Sequence, residues 1–423
     1  MDNLTEVMKE IKQNLSADIF DKQARSTKFI ERTRKYEGYA LFWSIIGGFG
    51  VGQATEIAGM LRSFSKDTGI RMNYSGWYNR LAKDEFPVFM RAMANHFIGH
   101  IYTTHFDVKG ELLNQFRDIH IQDGSSFGIN KLLSEYYPGR FTNTSPAAVE
   151  LHVFYSLRYA CPVTIALAPD SVSEYQFMPT DNNADLFRTL SLFDRGYGSL
   201  DRLHSIEQEA GCFIVRMKDN LNPLIVSVHK ADDRLSHYFK NKTFQEVTLK
   251  KKKDYDFKVE FRNDNIFRCL RIIALWNPRT KQHVIFLTNT RVDQLSLKTI
   301  GKIYRLRWQI ELLFKELKSH TELRRFLTAN PNIVEGFIWA AFCALFIRRF
   351  LVSTVQKISA KKLSFHKAAI SARNFMPEFI ACAIRKFIGL KQCLSNIFSY
   401  LQSTMFFSNP HRRSALQSAG VIA

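Results

Sequence analysis

The order of local textures constrains this chain's fold more than any single motif. Between residues 115 and 218 β-rich runs alternate with helical ones. FRDIHIQDG reads as a strand ending at the Asp123-Gly124 pair. ELHVFYSL (150–157) and CPVTIALAP (161–169) are split by three residues and predict a hairpin. ADLFRTL (184–190) predicts a short helix, and SLFDRGYG a strand ending at Asp194. LDRLHSIEQEAG predicts a second helix and CFIVRMK (212–218) a closing strand. The order β-β-β-α-β-α-β belongs to an α/β fold, in which helices cover a sheet.

The flanks have other periods. Residues 1–112 read as a helical region. Residues 220–295 read as a β-rich insertion, with the runs FQEVTLKKKK, YDFKVEF, CLRIIALW and HVIFLTN. Helical periodicity returns at 296, so 113–219 and 296–330 are the two parts of one core, and 331–423 is a helical C-terminal region. The apolar run Gly336–Ile347 is twelve residues, too short to span a bilayer, and predicts a buried helix. The six cysteines form no Cys-x-x-Cys pair, which argues against a disulfide framework or zinc ribbon. The start, MDNLTEVMKEIKQNL, lacks the pattern of a secretory signal. A cytoplasmic chain in a reducing compartment is the expectation, with no membrane partner.

Charge narrows the partners. The net charge is +20 and the pI about 9.7. Residues 101–200 carry −4, whereas 201–300 carry +7 and 301–423 carry +14. A basic half beside an acid-bearing segment suits a metal-dependent nuclease acting on a polyanion. A generic basic surface is the plainer alternative. Within the N-terminal region, Thr55–Arg91 has the outline of a helix-turn-helix, which would turn Trp77, Tyr78 and Arg80 toward DNA. The run Lys250, Lys251, Lys252 and Lys253 is either a solvated turn or a phosphate contact. His96 and His100 lack the acid of a zinc motif, and Gly47, Gly48 and Gly50 are not followed by the residues of a phosphate loop. Ser125 and Ser126 follow Asp123 without the arginine cluster that a serine-nucleophile recombinase needs.

The most informative segment is IYRLRWQIELLFKELKSH, residues 303–320. On one continuous helix, Tyr304, Arg307, Glu311 and Lys318 share a stripe about 60° wide. Ile303, Leu306, Ile310, Leu313, Phe314 and Leu317 occupy the neighbouring face, so the polar stripe borders the core. An Arg307–Glu311 pair at i,i+4 would account for two of these groups as an ordinary ion pair. The spacing Y-x2-R-x3-E-x6-K resembles the signature of the insertion-sequence-four family of DDE transposases.

The resemblance implies a ribonuclease-H-like core interrupted by a β-strand insertion, with two further carboxylates at strand ends. Asp123 and Asp194 fill those places; Asp194 follows Asp123 by 71 residues and Glu311 follows Asp194 by 117. Asp118 and Asp201 are nearby alternatives. Three carboxylates suit two Mg²⁺ ions, with Mn²⁺ as substitute. Tyr304, Arg307 and Lys318 would hold the DNA strand near the cut, including a flipped base. Trp276 is the candidate stacking surface, with a core strand Trp as the alternative, and Trp308 reads as packing. The resemblance further implies a cut-and-paste course on double-stranded DNA at transposon ends and target. It runs through a hairpin and is carried out by a homodimer joined through the C-terminal region and associated with a bacterial nucleoid. Arg348, Arg349, Lys361, Lys362, Arg385 and Lys386 would supply packing and DNA contact there.

Overall fold

The computed structural model describes residues 2–32, 37–50, 56–102, 108–172, 186–231, 236–263, 266–320, 328–359, 363–404 and 419. Ten strands form one sheet: β1 (Asp118–Gly128), β2 (Pro138–Phe141), β3 (Ser145–Ser156), β4 (Cys161–Pro169), β5 (Thr189–Phe193), β6 (Cys212–Arg216), β7 (Leu224–Lys230), β8 (Tyr255–Asn263), β9 (Ile266–Asn277) and β10 (Gln282–Thr288). The expected β3–β4 hairpin is present, with Ser156 paired to Cys161. β3 runs antiparallel to β1, while β5 is parallel to both β1 and β6. The resulting order β4-β3-β1-β5-β6 is the ribonuclease-H-like arrangement. β5 reads Thr-Leu-Ser-Leu-Phe and every residue in it is buried, as a parallel strand covered on both faces requires.

Two expectations need correction. Residues 186–188 form a turn and 189–193 are strand, so no helix covers 186–190; residues 184 and 185 lie outside the described residues. FQEVTLKKKK is not a strand, since Phe244–Glu246 is a single 3-10 turn and β8 starts only at Tyr255. The β-rich insertion contributes strands β7 to β10. β10 pairs with β6, so they extend the core sheet in the order β6-β10-β9-β8-β7. Apolar alternation reveals a strand but not its neighbour, which is why the sequence could not show this.

The helical flanks pack together and against the core. Trp43 meets Phe379 with ring centres 5.9 Å apart, and the Tyr39 hydroxyl donates to the Ala383 carbonyl at 2.7 Å. The apolar run expected to make a twelve-residue helix belongs to the much longer helix Pro331–Ile358, of 28 residues. Asn330 caps it by accepting from the Ile333 N–H, and Pro331 starts it. By length and composition this helix could cross a membrane, yet 89% of its most apolar 18-residue window is buried in the protein. It crosses the helix Glu85–His96 closely. A Cβ on Gly336 would come within 2.2 Å of the Phe86 ring, so only glycine fits there.

Candidate active site

Strand register brings the two aspartates together. β1 and β5 are parallel, and Gln122 pairs with Phe193. The next residue on each strand is therefore an aspartate, Asp123 beside Asp194. In parallel neighbours such side chains face the same way. Asp194 does end its strand as expected. It caps the turn Arg195–Tyr197 by accepting the Arg195 N–H at 2.8 Å. Asp123 does not end its strand, because β1 continues to Gly128. The antiparallel partner β3 runs alongside that extension and keeps it paired. A Cβ at Gly124, next to Asp123, would lie 2.6 Å from both Glu150 Oε1 and the Tyr197 hydroxyl, so a side chain there would displace those two groups.

The third carboxylate arrives on a broken helix. Residues 297–320 form the helix Leu297–Tyr304, a 3-10 turn Arg305–Arg307 and the helix Trp308–His320. Ser296 caps the first helix at the Thr299 N–H. Ile310, Leu313, Phe314 and Leu317 are buried, leaving Glu311 at the rim of the cleft. The 3-10 turn advances about 120° per residue against 100° for the α-helix, so three residues add about 60° of rotation. With that rotation added, Tyr304, Arg307, Glu311 and Lys318 still share a stripe, about 40° wide, so the break in the helix preserves the arrangement expected from the sequence. Tyr304 donates to the Phe193 carbonyl at 3.3 Å and packs on the Phe286 ring.

Asp123, Asp194, Arg307, Glu311, Lys315 and Lys318 line one open cleft of about 400 Å³, with Gly124, Ser125 and Phe314. Arg307 lies between two of the acids. Its Nη1 is 2.5 Å from Asp123 Oδ2, and its Nη2 pairs with Glu311 Oε1. Lys318 Nζ donates to the Ser126 carbonyl at 2.6 Å. Burial pushes the Asp123 carboxyl up to about 6. Arg307 and the Gly124 N–H oppose the rise, while Asp194 and Glu311 add to it. Burial, and then the charge of Asp194, push the Tyr304 phenol well above its ordinary value.

Residues 114–347, more than half of the chain, match the transposase DDE domain. The chain belongs to the DDE transposases. Among relatives, the transposase of insertion sequence IS231C from Bacillus thuringiensis subsp. berliner is 25% identical, over 88% of this chain and 84% of its own length. The IS231B transposase of the same organism is 23% identical over 98% and 95%. The IS1151 transposase of Clostridium perfringens is 19% identical over 88% and 86%. These relatives fit the insertion-sequence-four type named by the signature.

The remaining predicted DDE-transposase residues divide sharply by exposure. Trp77 is fully buried against Phe64, with ring centres 5.2 Å apart, so it cannot face DNA as expected. It sits on the inner face of the helix Tyr74–Leu81, whose period a short stretch of sequence could not orient. Arg80 is half-buried and donates to the Phe29 carbonyl at 2.8 Å, lying over that ring. Trp276 is half-buried edge-on to His283, far along the sheet on β9. Lys250 to Lys253 form an exposed turn before β8. Trp308 is not packing: it is 57% exposed, directly beside Arg307.

Asp118 is buried and bonded to Ser156 and the Arg158 N–H, on the opposite face of β1 from Asp123. Asp201 lies exposed in the first turn of the helix Leu200–Gln208. Neither lines the cleft. Lys315 does, and sequence reasoning missed it, although Glu311, Lys315 and Lys318 at i, i+4 and i+7 share a helix face. Arg348 is 2% exposed and paired to Glu316, so it cannot contact DNA as expected. Arg385 and Lys386 are exposed, and Lys361 and Lys362 lie outside the described residues.

Proposed function

We propose that this chain is a cut-and-paste DNA transposase that cleaves insertion-sequence ends and joins the 3′ ends to target DNA, with Asp123, Asp194 and Glu311 as the catalytic carboxylates. The observation that carries this reading is the β1–β5 register, which sets Asp123 beside Asp194 in the same cleft as Glu311.

Among the described residues no three acids yet lie close enough to share one ion. The donor set nonetheless fits a hard divalent cation such as Mg²⁺ or Mn²⁺, since it is all carboxylate oxygen. The like charges also push the Asp123 proton affinity up, a repulsion that a bound cation would relieve. When bound, such ions supply Lewis acidity toward a phosphodiester. The chain's own residues do the rest. Lys315 and Lys318 at the cleft rim attract the backbone phosphates as point charges, and Arg307 can grip a phosphate with two parallel N–H groups. The three acids repel any phosphate that approaches without a cation, which confines productive binding to the loaded site. Tyr304, bonded to the Phe193 carbonyl, ties the helix Leu297–Tyr304 to the end of β5 beside Asp194.

The reading continues through a strand-transfer course: the freed 3′-hydroxyl attacks the opposite strand, the hairpin is opened, and the 3′ end joins target DNA. Two copies on paired ends would perform it, joined through the 331–423 region. The basic 301–423 segment, at +14, supports binding to long DNA.

The test is cleavage of duplexes taken from the DNA flanking the coding sequence, in Mg²⁺ and in Mn²⁺, by the wild type and by Asp194→Asn and Glu311→Gln. Cleavage confined to the wild type and dependent on the cation supports the reading. End binding with no cleavage by any of the three chains assigns the protein as a non-catalytic DNA-binding relative.

A further inference from the structure

Glu316 lies five residues beyond Glu311 on the helix Trp308–His320 and faces away from the cleft. It is 9% exposed. Both of its oxygens are paired, Oε1 with Arg348 and Oε2 with Arg349 at 2.9 Å. Arg348 and Arg349 stand on the long helix Pro331–Ile358. Arg349 also donates to the Ala160 carbonyl at 3.1 Å, in the turn between β3 and β4. A single carboxylate therefore ties three elements together: the helix carrying Glu311, the long C-terminal helix, and the hairpin whose strand β3 pairs with β1. Burial works to raise the Glu316 proton affinity, but Arg349 and Arg348 outweigh it and hold the carboxyl below its ordinary value.

Such a network is an expensive way to glue a helix. Apolar side chains of the same volume commonly serve stability equally well or better. What directional ion pairs add is register. Leu313, Phe314 and Leu317 alone would tolerate several rotations and heights of this helix, since apolar cores repack with loss of uniqueness before loss of stability. The two arginines accept one.

We propose that Glu316, clamped by Arg348 and Arg349, is a positioning residue that sets the rotation and height of the signature helix and so aims Glu311 at Asp123 and Asp194. This rests on the carboxylate reading above. A displacement of about 1 Å at a catalytic group costs on the order of a hundredfold in rate, so a registry device behind the helix has large leverage.

The experiment uses the full chain with an element-end duplex and Mn²⁺ binding followed by electron paramagnetic resonance. Glu316→Gln keeps the shape and removes the charge. A triple variant, Glu316→Leu with Arg348→Met and Arg349→Met, replaces the network by apolar groups and leaves no unpaired arginine. At an unchanged thermal midpoint, the triple variant is expected to bind Mn²⁺ about tenfold more weakly, as loss of an outer-shell support does. Cleavage should fall in step and end binding should persist. A folded triple variant with wild-type Mn²⁺ affinity and cleavage overturns the clamp, as does a Glu316→Gln chain that loses both only in proportion to folded protein. Glu311→Gln separates the two readings. If it binds Mn²⁺ like the wild type, the carboxylate reading itself fails. If it binds weakly while the triple variant does not, only the clamp fails.

Discussion

Arg307 donates to the Asp123 carboxylate at 2.5 Å across 184 residues of sequence. The same guanidinium pairs with Glu311. Burial opposes the guanidinium's charge, yet Asp123, Tyr304 and Glu311 hold its proton more firmly than usual. Arg307 and a divalent cation therefore compete for the same two carboxylates. Removing the guanidinium should favour the cation. Arg307→Gln is expected to bind Mn²⁺ several-fold more tightly than the wild type without DNA, while cleaving element ends more slowly. Paired Mn²⁺ titration and cleavage assays check this. Weaker Mn²⁺ binding in the variant would show that Arg307 supports the cation instead of competing with it.

The two tryptophans predict opposite phenotypes. Trp77→Ala empties a fully buried site beside Phe64 and should cost about 3–5 kcal/mol of stability. Trp308→Ala removes an exposed ring and should leave stability within about 0.5 kcal/mol. If Trp308 stacks on a DNA base beside Arg307, end binding should fall by about 1–3 kcal/mol, as loss of one base-stacking ring does. Thermal melts and end-binding isotherms on both variants separate these effects.

Asp118 and Asp123 share a strand and differ in consequence. Asp118 accepts from the Ile119 N–H, the Ser156 hydroxyl and the Arg158 N–H, at 2.6, 2.5 and 3.0 Å. Burial works to raise its carboxyl; His120, Ser156 and Arg158 outweigh this and hold it below its ordinary range. Asp118→Ala should cost about 3 kcal/mol, the scale of breaking a buried charged network. Asp123→Asn should melt near the wild type yet abolish cleavage. A stable, inactive Asp118 variant would return Asp118 to the list of ligands.

Acid sensitivity should trace in part to His152. Its ring is buried on β3 with Nδ1 3.0 Å from the Tyr197 hydroxyl, and burial lowers its pKa to about 4. Unfolding lets it take up a proton near its ordinary value of about 6.5. The unfolded chain then binds more protons between pH 4 and 6.5, so stability falls as pH drops through that window. The contribution is at most about 3 kcal/mol, fully present above about pH 6.5. His152→Gln should flatten the dependence of the urea midpoint on pH between 7 and 4.5. An unchanged slope would assign the sensitivity to other groups.

Much of this was legible in the residues themselves. The strand runs at 118–123, 150–157, 161–169 and 212–218 and the polar edge of 303–320 follow from local alternation and helical period, which neighbouring residues set. The basic excess of 301–423 is simple counting. Local pattern failed where distant contacts decide. It could not see that β10 would pair with β6, that Arg348 would be spent on Glu316 instead of DNA, or which face of the helix Tyr74–Leu81 Trp77 would take.

The sequence by itself determined the chemical kit: two aspartates in β-rich runs, and a Tyr, Arg, Glu and Lys series at helical spacing. Only the tertiary structure decided that Gln122 pairs with Phe193, which sets Asp123 beside Asp194, and that Tyr304 bonds to the Phe193 carbonyl. The reason is physical. Side-chain type and period are local properties of the chain, whereas register and helix phase are settled by burial summed over contacts between residues far apart in the sequence.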